Sequence, residues 1–382
     1  MEDKSAYPYI TKFKKEPFNS FVTIKKREIW NFYYSENNKL VGFYKFFNQN
    51  LLKDPNLKLE NIFWFLLLRK FLKEDKKARR EDIFIFIKNC EIRQNNQLGF
   101  KLSPNSQKVP DIYSTYLALS SLKNLGVLKE YLLSEGPNQI KGEIKEFLIA
   151  HKKGKFFLHC HDKECDICKK ISLSRTAYYV LEIFTLLGID IRANKKQFRL
   201  SMGDKKRGPS LIFRLLCYKF LDLDWDVKDK EIQILHQFQK ENGGFSFSNI
   251  DSIDTTFWVV YSLENYSWLL DYNPAGIYPF INKKLSEILS IQDNWNSFKL
   301  NEVSKLIILL TFIWKKFIDE IERVIFKHIE NERFIDLNQL QTTFGLSNNI
   351  EELISYINLN YNFNLKVLNI DIEFINYIRN LS

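Results

Sequence analysis

Three of the five cysteines and two of the five histidines fall within ten residues, in the run His159-Cys160-His161-Asp162-Lys163-Glu164-Cys165-Asp166-Ile167-Cys168. Cys165 and Cys168 have the spacing at which a tight turn presents two thiolates to one tetrahedral Zn²⁺. Cys160, with either His159 or His161, completes a set of four donors. Adjacent residues cannot all converge on one ion, so one of the two histidines is left as a bystander. Zinc is therefore the expected cofactor of a Cys/His-rich loop over residues 157–171. It would act either as a closed structural staple or with one coordination position open for catalysis. The third reading is that these are redox or incidental cysteines.

The elements that must position this loop repeat along the chain. Three segments open with Asp, Ser or Thr, residue types that cap a helix by accepting from its free N–H groups. They are Pro110-Asp111-Ile112-Tyr113-Ser114-Thr115-Tyr116, Ser174-Arg175-Thr176-Ala177-Tyr178-Tyr179-Val180, and Ile253-Asp254-Thr255-Thr256-Phe257-Trp258-Val259. Each continues almost wholly apolar, which predicts a helix buried on most sides. The first two stop at Leu125-Gly126 and Leu187-Gly188, as helices ending in a left-handed glycine do. Amphipathic helices are expected upstream, over 81–92, 144–151 and 231–239. Each leads into a glycine followed at once or one residue later by phenylalanine, at Gly99-Phe100, Gly154-Lys155-Phe156 and Gly244-Phe245. Glycine there predicts a tight turn, with the ring pinning the turn to the core. Fainter copies are expected around Gly42-Phe43 with Leu59–Phe65, at Pro209–Leu216, and around Trp295 with a helix over 302–317. The cysteine-rich run is inserted between a turn and an inner helix of this unit.

The Gly-Phe turn, the acidic or hydroxyl cap and the Thr-aromatic-x-Ala/Val-Leu inner helix resemble the repeat of protein prenyltransferase β subunits and terpenoid cyclases. Residues 243–258 match it best, and the clear resemblance spans about 80–270. It implies an all-α protein, an α/α toroid in which inner and outer helices alternate around a barrel, taken as one domain over 1–382. It also implies a cavity lined by aromatics that binds an isoprenoid diphosphate or other lipid. The reaction implied is transfer of the isoprenyl group to a thiol acceptor with zinc, with Mg²⁺ as a further cofactor option, alongside a helical-repeat partner subunit. The family's own zinc motifs are absent in register: Thr255 stands where its His would be expected, and no inner-helix start offers Cys.

Two alternatives stay open beside the transferase. A class II terpenoid cyclase needs an acid kept protonated by neighbouring carboxylates and burial. The nearest catalytic candidates are Asp251 and Asp254, in Asp251-Ser252-Ile253-Asp254, where Ile253 interrupts the family's acidic motif. The other alternative is a non-catalytic, zinc-stapled toroid that binds a lipid or a protein. For a diphosphate, the basic run Lys205-Lys206-Arg207 is the candidate rim, because Lys and Arg make charge-assisted bonds to phosphate oxygens. Trp258 is the candidate aromatic contact.

Composition sets the outer bounds. Hydrophobic residues are 45% and charged residues 27% of 382, a balance that excludes global disorder. The net charge is +10, yet no helix-turn-helix, aromatic RNP-like strand or Arg-rich arm accompanies it, so nucleic acid is not an expected partner. The longest apolar runs, 62–68 and 306–314, fall well short of the ~20 residues of a membrane span. No secretory signal is read at the N-terminus, and the cytoplasm is the expected compartment.

Overall fold

In the computed structural model of the chain, the described residues are 39–71, 79–160, 172–190, 208–221, 234–235, 237–247, 252–264, 274–291, 295–310 and 312. The chain divides into two units, Leu40–Leu310 and Met1–Lys39 with Thr311–Ser382. Nearly all described residues belong to the first. The expected single domain over 1–382 thus extends into residues outside those described.

The first unit is helical apart from two short hairpins. Its helices are α1 (residues 40–50), α2 (Leu59–Phe71), α3 (Arg80–Asn89), α4 (Ile112–Leu125), α5 (Leu128–Leu133), α6 (Gln139–Ala150), α7 (Leu173–Leu187), α8 (Gly208–Leu221), α9 (Ile253–Glu264), α10 (Pro274–Leu289) and α11 (residues 297–310). Strands β1 (Glu91–Gln94) and β2 (Gln97–Phe100) form one antiparallel hairpin, and β3 (Lys152–Lys153) and β4 (Phe156–Phe157) the other.

Two kinds of helix alternate. In α4, eleven of fourteen residues are buried, and α7 is nearly as closed. By contrast, α6 buries only Ile140, Ile144, Phe147 and Leu148, the one-sided stripe of an outer helix. The buried helices pack in sequence order, α2 on α4, α4 on α7, α7 on α8, and α8 on α9. The circle then closes through α11. Asp254 of α9 accepts from Lys305 of α11 (2.8 Å). Buried Asn61 of α2 donates to the Ser297 carbonyl and to Asn301 Oδ1 of α11, both at 3.1 Å. Six described helices thus make an inner ring, with α3, α6 and α10 outside it. This is the α/α toroid expected from the repeat.

The caps are as local chemistry dictates, with one shift of register. Asp111 and Ser172 cap α4 and α7 by accepting from Ser114 N and Arg175 N. For α9 the cap is Ser252, which accepts from Thr255 N (3.2 Å), and this leaves the Asp254 side chain free for another role. Gly126 and Gly188 stop α4 and α7 with φ of 74° and 69°, the left-handed conformation that glycine adopts without a Cβ penalty.

Gly154, at φ of 61°, and Gly243, at φ of 86°, make the turns expected of them, but the first copy of the Gly-Phe element is built differently. Gly99 and Phe100 lie in strand β2, and the turn is made ahead of that strand by Asn95 and Asn96, at φ of 53° and 60°. Asparagine tolerates this left-handed pair, which suits the twist of a two-residue hairpin. Gly99 is required for space instead. A Cβ on it would run into the Phe147 ring of α6, and a Cβ on Gly244 would come within 2.7 Å of the Phe280 ring of α10. The same substitution, Gly→Ala at 99 or 244, is expected to destabilise the toroid by about 1–3 kcal/mol through overpacking. Thermal unfolding would check it. Unchanged midpoints for both variants would show that the rings can swing aside. Gly42, by contrast, sits inside α1 with open space around it; no close approach requires it, and Gly42-Phe43 is not a copy of the turn.

Candidate functional site

A cavity opens at the N-terminal ends of the inner helices that line it, with α11 reaching along it to Lys305. The cavity holds about 730 Å³. Its wall takes Glu60 from the start of α2, Tyr113 from α4, Arg175 from α7, Ser252–Asp254 from α9, and 298–305 from α11. The outer helix α10 adds Lys284, Glu287 and Ile288. Each helix start carries a partial positive charge on its unpaired N–H groups. Five such starts around one opening favour an anion there.

The side chains add charge in a definite arrangement. Three carboxylates are each engaged by a lysine: Glu287 by Lys284 (3.3 Å), Glu302 by Lys299 (2.8 Å) and Asp254 by Lys305 (2.8 Å). Arg175 has no carboxylate within salt-bridge distance among the described residues. Its guanidinium lies instead 5.0 Å from the Phe213 ring centre and 5.7–5.8 Å from those of Tyr179 and Tyr113. Its Nε donates to Tyr179 Oη at 2.8 Å. Aromatic faces hold a cation without neutralising it, so Arg175 keeps its charge for whatever enters the cavity. Lys305 is braced in a similar way, 5.0 Å over Trp64.

Asp254 opens into this space and is half-exposed. Burial acts to raise its carboxyl, but the bonded Lys305 ammonium and the nearby Arg175 outweigh that and hold it below the usual carboxylate range. An acid that must deliver a proton to an alkene needs the reverse. Asp251, the other candidate acid, lies outside the described residues.

One helical turn further along the same helices, behind the residues that line the cavity, aromatic side chains recur. Positions three and four residues after Glu60, Tyr113, Arg175 and Asp254 lie on the same helix faces. They carry Phe63 and Trp64, Tyr116, Tyr178 and Tyr179, and Phe257 and Trp258. These rings, with Phe213 of α8, form an unbroken circuit. Trp64 meets Phe257 (5.2 Å), Phe257 meets Trp258 (5.2 Å), Trp258 meets Phe213 (5.0 Å) and Phe213 meets Tyr179 (6.1 Å). Tyr179 then meets Tyr116 (5.0 Å), Tyr116 meets Phe63 (6.0 Å) and Phe63 returns to Trp64 (5.0 Å). The site is a charged mouth above an aromatic layer. Trp258, singled out in the sequence, belongs to that layer.

The sequence reasoning missed Arg175, Lys284, Lys299 and Lys305. A signal existed for Arg175: it is a cation in the first turn of a buried helix, where no solvent-facing side exists. The rim candidates Lys205, Lys206 and Arg207 lie outside the described residues, as do His161, Cys165 and Cys168.

His159 and Cys160 are described, at the end of the β3–β4 hairpin, and both are buried. His159 Nε2 stands 3.3 Å from Asp111 Oδ1, and its backbone carbonyl accepts from Ile112 N at 3.0 Å. Its Nδ1 has no hydrogen-bond partner among the described residues. A buried imidazole with one nitrogen on a carboxylate and the other unengaged fits a zinc ligand, and an adjacent buried thiol fits a second. No cluster of three or more His, Cys, Asp or Glu side chains able to hold a metal occurs among the described residues. The cavity carboxylates fit Mg²⁺ poorly, because three of them already hold lysines. No helix among the described residues is long and apolar enough to cross a membrane.

A ring of capped, buried helices inside one-sided ones, opening at the inner N-termini, defines the α/α toroid class. The chain matches the prenyltransferase alpha-alpha toroid domain over residues 38–201 and 190–301, more than half its length, and it belongs to that family. Among solved structures it resembles Candida albicans protein geranylgeranyltransferase-I complexed with GGPP. The identity is 17%, the TM-score is 0.50, and the likeness covers 72% of this chain and 91% of that one. At that identity the likeness speaks to the fold. A comparison with curated protein sequences finds no match.

Proposed function

We propose that this toroid binds an isoprenoid diphosphate, headgroup in the charged mouth and hydrocarbon over the aromatic layer, and transfers the isoprenyl group to a thiol acceptor. The observation that carries the reading is Arg175, a cation held by three aromatic rings and with no carboxylate within salt-bridge distance among the described residues, at the boundary between mouth and layer. Arg175 would take the phosphate oxygens, with five helix starts adding to the field, and Lys284, Lys299 and Lys305 would join it by exchanging the carboxylates that they hold. Lys205, Lys206 and Arg207 are proposed as further rim contacts. The aromatic faces would shield the carbon that develops positive charge as the C–O bond to diphosphate breaks. The acceptor sulfur supplies the electron pair of the new C–S bond, its proton passes to solvent, and diphosphate leaves.

Zinc, if bound by His159 or His161 with Cys160, Cys165 and Cys168, would lower the pKa of a thiol acceptor so that it is a thiolate at neutral pH. A helical-repeat partner subunit and a cytoplasmic setting go with this reading. A second reading, ligand binding without transfer, is favoured by the layer itself. All its rings but Phe63 are buried, and they touch one another, which leaves the mouth as the roomier compartment.

The deciding measurement compares three ligands on the intact chain by calorimetry: an isoprenoid diphosphate, the matching alcohol and inorganic pyrophosphate. The diphosphate is expected to bind at least tenfold tighter than either fragment. Equal affinity for pyrophosphate and isoprenoid diphosphate would rule out the aromatic layer as the hydrocarbon site. Adding a cysteine peptide and looking for the thioether by mass spectrometry separates transfer from binding alone.

A further inference from the structure

The charged side chains on the cavity wall are four carboxylates and four cations, so the mouth carries no net charge. Asp254, Glu287 and Glu302 and their three lysines are spent on one another. The two charges left over are Arg175 and Glu60. A first-turn acid is ordinary in a helix, where it complements the unpaired N–H groups. Glu60 is such an acid, but it is half-buried on a cavity wall, and no cation stands within salt-bridge distance of it among the described residues. Lys305 lies over the ring of Trp64, one turn along α2 from Glu60, yet its ammonium is bonded to Asp254.

Tyr113 stands between the two free charges. Helices α2, α4 and α7 pack in that order, and Glu60, Tyr113 and Arg175 sit at their starts. The Tyr113 ring centre is 5.8 Å from the Arg175 guanidinium. After burial, the Glu60 carboxylate is the largest influence that raises the Tyr113 phenol, and Arg175 opposes it. The free cation and the free anion thus share one wall. A diphosphate that takes Arg175 faces an uncompensated carboxylate on that wall, and in a cavity of no net charge the repulsion is relieved by a positive group that enters with it.

We infer that Glu60 binds a positively charged group of the thiol acceptor, so that the acceptors taken carry an ammonium or guanidinium near the sulfur. The inference rests on the transferase reading and adds the acceptor's chemical class to it. The acceptor sulfur must reach the carbon beside the diphosphate that Arg175 holds, and Glu60 lies on the same wall, two helix starts away. A charge-assisted bond to its carboxylate would fix the acceptor's approach. The bound cation and the diphosphate also attract each other, so each ligand strengthens the binding of the other.

The test is calorimetry on the full chain preloaded with an isoprenoid diphosphate. The probes are three terminally blocked cysteine peptides that differ only in their flanking residues, which are lysine, glutamine or glutamate. The parent is expected to bind the lysine peptide roughly tenfold tighter than the glutamine peptide, and the glutamate peptide most weakly. Glu60→Gln, nearly isosteric, should bring the lysine and glutamine peptides level and bind the isoprenoid diphosphate itself more tightly than the parent does. Glu60→Lys should reverse the order of the peptides. A parent that binds the three peptides alike, or an order that survives in both variants, would overturn the inference while the transferase reading stands. So would a Glu60→Gln variant altered only in the Mg²⁺ dependence of diphosphate binding, because the carboxylate would then serve a metal. A parent that binds no isoprenoid diphosphate would overturn both.

Discussion

Replacing Arg175 with methionine is expected to lower the affinity for an isoprenoid diphosphate by roughly 10- to 100-fold, the equivalent of about 1.5–3 kcal/mol for a charge-assisted hydrogen bond. Methionine keeps much of the length and apolar stem that pack between Tyr113, Tyr179 and Phe213, and removes the charge. Arg175→Lys keeps the charge but gives up the planar stack and the fixed fork of donors, so it should fall between the two. Affinity for the isoprenoid alcohol is the control, because an uncharged headgroup has little to gain from a guanidinium. If Arg175→Met weakens alcohol and diphosphate alike, the residue packs the aromatic layer and the anion site lies elsewhere. Salt should act in the same direction as the substitution, since the Lys284 and Lys299 pairs of the rim are partly open to solvent and are screened.

The second large effect concerns the fold. Thr115 and Thr256 are fully buried, and their Oγ1 atoms accept from Phe100 N (3.1 Å) and Phe245 N (2.9 Å). Valine has nearly the same shape and no acceptor. Each Thr→Val change orphans a buried backbone N–H and is expected to cost about 1–3 kcal/mol. The two sites lie in different repeats and share no partner, so the costs should add. The double variant would then lose about 2–6 kcal/mol, a large fraction of the 5–15 kcal/mol typical of a folded domain. Denaturant titration of the two single variants and the double would show it. A double variant no weaker than either single one would mean that the hydroxyls are not what holds the Gly-Phe element to the inner helix.

That threonine explains why the repeat could be read from the sequence. It recurs at Thr115, Thr176 and Thr256, in the first turn of a helix whose cap stands four residues earlier, and glycine recurs where a neighbouring ring presses on the backbone. These are local requirements, and local requirements leave spaced residue types. The cap of α9 was harder to place because Ser252 and Asp254 are both good capping residues, and only the fold shows that Asp254 is spent on Lys305. The Asn95-Asn96 turn is a hairpin signal in plain view, overlooked beside Gly99-Phe100.

The cavity cations were illegible for a different reason. Lys305 meets Asp254 across 51 positions of sequence and Trp64 across far more. Nothing in the neighbourhood of Lys305 distinguishes it from a lysine facing water. Basic runs such as Lys205-Lys206-Arg207 draw the eye because they are contiguous, whereas a binding site in a ring collects one residue from each stave.

The seam between α2 and α11 has a kinetic side. The bonds that close it, from Asn61 to Ser297 and Asn301 and from Ser297 to Asp54, span 236, 240 and 243 residues. Contacts of such long range are reached only after most of the loop-closure entropy has been overcome, whereas α4, α7 and α8 meet neighbours close by in the chain. The helix that arrives across this seam is also the one that brings Lys299, Glu302 and Lys305 to the cavity. An arc of five inner helices without α11 would therefore lack part of the mouth. The proposed anion site would be complete only when the circle shuts, and a ligand that binds it would draw the closed form forward by mass action.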